Sequence, residues 1–138
     1  MKKKIKTFIV TIFGVVILFI ILNITFIIYT QYKLINNIKN FSVQEYKGII
    51  QKFPSNMNVG PVDNTSALIE KAKDIWNEEF DMNISSIYIY DITHWRLFGI
   101  FYDSEEECWC IITGKINELD GEIGALIRKD GKVLAIWK

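Results

Sequence analysis

The chain has 138 residues, room for one ordinary domain, and its 16 Lys/Arg and 16 Asp/Glu give a formal net charge of zero. Residues 1–39 contain six lysines and no acid, whereas residues 40–138 contain ten Lys/Arg and all 16 acids, a net −6. An acidic body repels phosphate, which argues against nucleic acid as its partner, and the 50% hydrophobic content is inflated by one segment near the start.

Residues 1–6 read as a basic head and 7–30 as a transmembrane helix. Within it, the 22 residues 8–29 carry no charge, and only Thr11, Gly14, Asn23 and Thr25 fall outside the apolar set. As a helix they would extend about 33 Å at roughly 1.5 Å per residue, enough for a hydrocarbon core of roughly 30 Å. A helix is the natural span because it satisfies its own backbone hydrogen bonds in lipid. A cleaved signal sequence would want a shorter apolar run and a small-residue cleavage site. The first alanine is Ala67 and the first cysteine Cys108, so a retained anchor is expected. Four lysines precede the run and Lys33 and Lys39 follow it. That bias favours a cytoplasmic N-terminus, a single pass through the cell membrane, and residues 40–138 outside the cytoplasm.

Residues 31–57 read as a juxtamembrane linker with a short helix. The anchor helix is expected to continue past Tyr29 and Tyr32, which would sit at headgroup depth, and to weaken at Asn36-Asn37 and Asn40. Ser42-Val43-Gln44-Glu45 fits a capping box, and Val43, Tyr46, Ile50 and Phe53 predict a helix over 43–53 that Pro54 stops. Residues 55–61 are turn formers. Asp63, Asn64 or Thr65 can cap a stronger helix over 65–80, with Leu68, Ile69, Ala72, Ile75, Trp76 and Phe80 on one stripe. Trp76 reads as core.

Beyond residue 84 the period becomes two, predicting strands over 87–90, 96–102, 108–113, 122–128 and 132–137. Asp130-Gly131 predicts a two-residue hairpin, and Asp103 to Glu106 a polar turn. Connections this short predict an antiparallel sheet. Cys108, Cys110 and Ile112 should oppose Trp109 and Ile111, and Val133, Ala135 and Trp137 should oppose Leu134 and Ile136. Such strands are apolar on both faces. One face can pack on helix 65–80; the other must meet the short helix, a pocket or a partner.

Little in this pattern points to chemistry. His94 is the only histidine and sits at an expected turn with no nucleophile or ligand set around it. Cys108 and Cys110 share a strand face at a spacing that disfavours a disulfide, and read as small core residues. Asp103, Glu105, Glu106 and Glu107 place four acids within five residues, either a solvated hairpin tip or an electrostatic docking patch. Gly121 to Gly124 lacks the strand–loop–helix context of a phosphate site. The expectation is therefore no enzyme, no cofactor and no metal.

One series of motifs is distinctive. Val59-Gly60-Pro61-Val62 leads into a helix carrying Ala72 and Ile75-Trp76. Phe101-Tyr102-Asp103, Trp109, Gly114 and Gly121 to Gly124 follow, and the chain closes on Arg128-Lys129-Asp130-Gly131-Lys132-Val133-Leu134-Ala135-Ile136-Trp137. Over residues 58–138 this resembles a small bacterial immunity-protein family with the nuclear transport factor 2 fold, associated with polymorphic toxin systems. The resemblance implies an α+β domain, with one main helix packed on a curved antiparallel sheet (nuclear transport factor 2-like or cystatin-like). It also implies a non-enzymatic role: binding and neutralising a cognate toxin protein. Read from the residues and not from the resemblance, the candidate contact residues are Asp103, Glu105, Glu106 and Glu107, with the nearby aromatics Tyr102 or Trp109, whichever is exposed. The alternative is a cell-envelope module that binds a small ligand in a pocket on the second apolar face.

Overall fold

A computed structural model describes residues 2–84, 87, 95–115 and 121–138. Helix α1 (Lys2–Asn36) is followed by a two-residue strand β1 (Lys39–Asn40) and a 3₁₀ turn (Val43–Tyr46) that runs into α2 (Lys47–Lys52). Helix α3 (Thr65–Glu79) precedes the four strands β2 (Trp95–Asp103), β3 (Cys108–Lys115), β4 (Glu122–Arg128) and β5 (Val133–Trp137). All five strands form one sheet in the order β1-β2-β3-β4-β5, giving an α+β fold behind a long apolar helix. The strand expected over 87–90 lies outside the described residues except for Ile87, which is buried.

Helix α1 is long and apolar enough to cross a bilayer. Every side chain from residue 4 to residue 26 is exposed, as suits a helix whose surroundings are lipid. From Ile27 the surface changes: Ile27, Thr30, Gln31, Leu34 and Ile35 become half-buried or buried, at i, i+3, i+4, i+7 and i+8. Leu34 and Ile35 pack against the main core, and α1 lies along β2. A hydrocarbon core of roughly 30 Å takes about 20 residues. Residues 7–26 supply that length, so the stripe that docks on protein begins where a bilayer would end.

The sheet is not wholly antiparallel. β1 pairs parallel with β2, Lys39 beside Phe101 and Asn40 beside Tyr102, because the chain leaves α1 in the direction β2 runs. The other three pairings are antiparallel.

Each face of the sheet has its own cover. Leu68, Ile69, Ala72, Ile75 and Trp76 of α3 pack on Ile100, Trp109, Ile111, Ile123, Ala125 and Ile127. Phe41, Val43, Tyr46, Ile49, Ile50 and Phe53 cover Cys108, Cys110, Leu126, Ala135 and Trp137 on the opposite face. Residues 53–57 then run along β5, where Ser55 N–H donates to the Leu134 carbonyl and Val133 N–H to that of Met57. Residues 39–57 therefore belong to the domain and are not a linker outside it, because the second apolar face and the β5 edge both require them. The capping box does not form. Glu45 N–H is taken by the Ser42 carbonyl (3.1 Å) in the 3₁₀ turn, and the Ser42 side chain makes no cap bond.

A β-bulge also corrects the expected facing of the last strand. Leu126 pairs with Ala135 but Ile127 with Val133, leaving Leu134 as the extra residue. One inserted residue reverses the alternation, so Val133 joins Ile136 beneath α3, while Ala135 and Trp137 face the other layer. The hairpin turn likewise shifts by one. Gly131 N–H donates to the Arg128 carbonyl (2.8 Å), so Lys129 and Asp130 are central and Gly131 alone takes a left-handed φ, +93°. A Cβ on Gly131 would also run into the backbone of Gly60, which the Lys71 ammonium holds through the Val59, Gly60 and Pro61 carbonyls (2.6–2.8 Å). Of the three expected caps, Asn64 is the one used: its Oδ1 accepts from Ala67 N–H at 2.9 Å.

Gly124 is where both layers converge on the sheet. Trp76 Nε1–H donates to its carbonyl at 3.2 Å, and the Trp137 indole lies where its Cβ would stand. Gly124→Ala should therefore destabilise the domain by about 1–3 kcal/mol, the range for overpacking. Denaturant titration of the full chain in detergent micelles measures it, and an unchanged midpoint would contradict this packing.

Candidate interaction surface

The acidic turn between β2 and β3 is built around Asp103. Its carboxylate accepts Val43 N–H (2.8 Å), Glu105 N–H (2.9 Å) and Glu106 N–H (3.2 Å), so one side chain joins the 41–53 cover to the turn. The bond from Val43 N–H is the main reason this carboxyl is held below its ordinary value of 3.8; burial opposes the shift, and the two turn amides add to it. Only 5% of Asp103 is exposed, so it positions the turn and is not itself a contact residue. Aspartate accepting from amides two and three residues ahead is ordinary turn chemistry, and the Asp103-Ser104 start of the acidic run carried that signal.

Of the two aromatics offered, Trp109 is the buried one. It is 7% exposed, its Nε1–H donates to the Val62 carbonyl (3.2 Å), and its ring lies 4.4 Å from that of Tyr102. An indole from an all-apolar strand goes inward when both faces of the sheet are covered. Tyr102 is half-buried at the rim of this pair. Glu105, Glu106 and Glu107 are exposed. Glu107 adopts φ +47°, a left-handed conformation uncommon for a residue with a side chain. Two contacts to the neighbouring turn hold it: Lys129 N–H donates to its carbonyl (2.8 Å), and Lys129 Nζ lies 3.6 Å from its carboxylate. The site thus reduces to a braced turn presenting three carboxylates, with Tyr102 beside it. Lys129, which braces it from β4–β5, was not legible because nothing local in the sequence links residues 107 and 129.

The second apolar face, expected to meet a short helix, a pocket or a partner, meets residues 41–53. Among the described residues its side chains are occupied by the chain itself. Both cysteines are free and buried there, and burial pushes each thiol up to about 12, so neither is a thiolate near neutrality. Cys110 packs in the same cluster as Tyr46. No group of metal-ligating side chains occurs among the described residues, and His94 lies outside them. No protein-family model, curated protein or solved structure matches the chain.

Removing the Asp103 carboxylate strands three amides, one of them buried. Asp103→Ala should destabilise the fold by about 1–3 kcal/mol. The pH dependence has a definite sign. The folded carboxyl binds a proton less readily than the unfolded one, so its stabilisation is complete above 3.8 and is lost as pH falls through the depressed folded value. Unfolding curves for wild type and Asp103→Ala should therefore converge as the solution is acidified below 3.8. A gap that stays constant into that range would contradict the assignment.

Proposed function

We propose that the chain is a membrane-anchored, non-enzymatic immunity protein whose domain binds and neutralises a cognate toxin protein at the bilayer surface. The observation that carries this reading is the braced acidic turn: Glu105, Glu106 and Glu107 stand on a backbone held by Asp103 and Lys129. A rigid like-charged patch attracts a basic partner and loses little entropy on binding. Glutamate at position 107, where glycine would be the easier residue, adds support, because strained conformations are kept where a side chain is needed. The motif series over residues 58–138 supplies the toxin-immunity class and the nuclear transport factor 2-like identity of the fold. The lysine bias favours a cytoplasmic N-terminus with the domain outside. Residues 41–53 cover the apolar face on which a small-ligand module would rely, which favours the immunity reading.

The first test is capture of proteins encoded beside this chain by the full-length protein in detergent. With the captured toxin in hand, Glu105→Lys with Glu106→Lys should slow association about tenfold at low salt while leaving dissociation nearly unchanged. Stopped-flow mixing over a salt series measures both rates. An association rate equal to wild type at every salt concentration would return the turn to a solvated hairpin tip.

A further inference from the structure

The last turns of α1 have two faces. Gln31, Leu34 and Ile35 turn into the domain, whereas Tyr29, Tyr32, Lys33 and Asn36 lie on the opposite side and are exposed. With Asn37 they line an open cleft of about 400 Å³. We propose that this cleft binds the phosphate of an anionic phospholipid headgroup.

Three observations carry the proposal, which rests on reading α1 as a bilayer span. The first is depth. Counted from Thr7, a hydrocarbon core of roughly 30 Å ends near Ile27, so Tyr29 lies about 3 Å and Lys33 about 9 Å past its edge. Helical side chains tilt toward the N-terminus of their helix, so Tyr32 and Lys33 reach back toward the headgroups. The second is chemistry. The lining surface is mostly apolar, and its polar atoms belong to two phenols, two carboxamides and one ammonium with no carboxylate among them; no acid precedes Glu45 in the chain. Asn36 is braced, its Nδ2–H donating to the Tyr32 carbonyl at 2.8 Å. The third is charge balance. The C-terminal end of a helix carries about half a negative charge, which works against an anion. Lys33, in the last turn, supplies a full positive charge and reverses the sign.

The test uses the full chain in nanodiscs of phosphatidylcholine containing a minor fraction of phosphatidylglycerol, with native mass spectrometry reading the lipid retained. Wild type should retain phosphatidylglycerol over phosphatidylcholine about fivefold, the contribution of one lysine near an anionic leaflet. Lys33→Gln should abolish most of that preference, Tyr29→Phe with Tyr32→Phe should weaken it, and Lys39→Gln should leave it intact. Equal preference in wild type and Lys33→Gln would overturn the proposal. Displacement of the lipid by inorganic phosphate would assign the cleft to a free anion, and lipid-independent cross-linking of two chains through Lys33→Cys would assign it to a second copy; either overturns it. Alkaline extraction distinguishes the deeper failure: release of wild-type chain from the bilayer would refute the span itself.

Discussion

Between Ile27 and Ile35 the side chains of α1 turn from open surroundings to protein, and the placement of the remaining elements follows from that change. The helix does not break at the transition. It continues to Asn36, and only Asn37 and Ile38 separate it from β1, which is already part of the sheet. A helix is stiff, and its docked stripe sits on the main core through Leu34 and Ile35. The domain is consequently fixed to the helix and does not hang from a flexible tether. On the proposed membrane reading, every surface of the domain has a set height above the bilayer, the acidic turn included.

A second constraint acts within the domain. A sheet apolar on both faces cannot leave either one to water, and a chain this short has few residues with which to cover them. Helix α3 takes one face, residues 41–53 the other, and residues 53–57 close the β5 edge. Asp103 couples these parts, since the same carboxylate ties the start of the second cover to the turn that carries the glutamates. The exposed acids therefore depend on a buried one.

Much of this was legible from residue types. The α3 stripe, a cap within residues 63–65 and the limits of β4 follow from spacing and capping chemistry, which act locally; the choice of Asn64 among the three came from the fold. The errors share a cause. The docking stripe of α1 was missed because Thr30 and Gln31 lie on it among polar residues; only Ile27, Leu34 and Ile35 mark it as apolar, too few to separate it from the end of the preceding apolar run. The bulge at Leu134 depends on pairing with β4, and the parallel β1 edge on the path out of α1. Asp103 resembled a surface contact because a run of acids reads as solvated, and Trp109 because it is an aromatic beside that run; the bonds they make inside the fold involve Val43 and Val62, about 60 and 47 residues away. Long-range partners of this kind leave no periodic trace.

The rigid attachment of domain to helix can be measured directly. Nitroxide labels at Ile28→Cys and Glu106→Cys, both exposed positions, report their separation by double electron–electron resonance in nanodiscs. Cys108 and Cys110 escape labelling because they are buried and their thiols stay protonated. One narrow distance distribution is predicted, broadened by Leu34→Asp, which would place a charge in the docked stripe. A broad distribution in the otherwise unaltered chain would contradict the account, since it would mean that the domain moves independently of its helix.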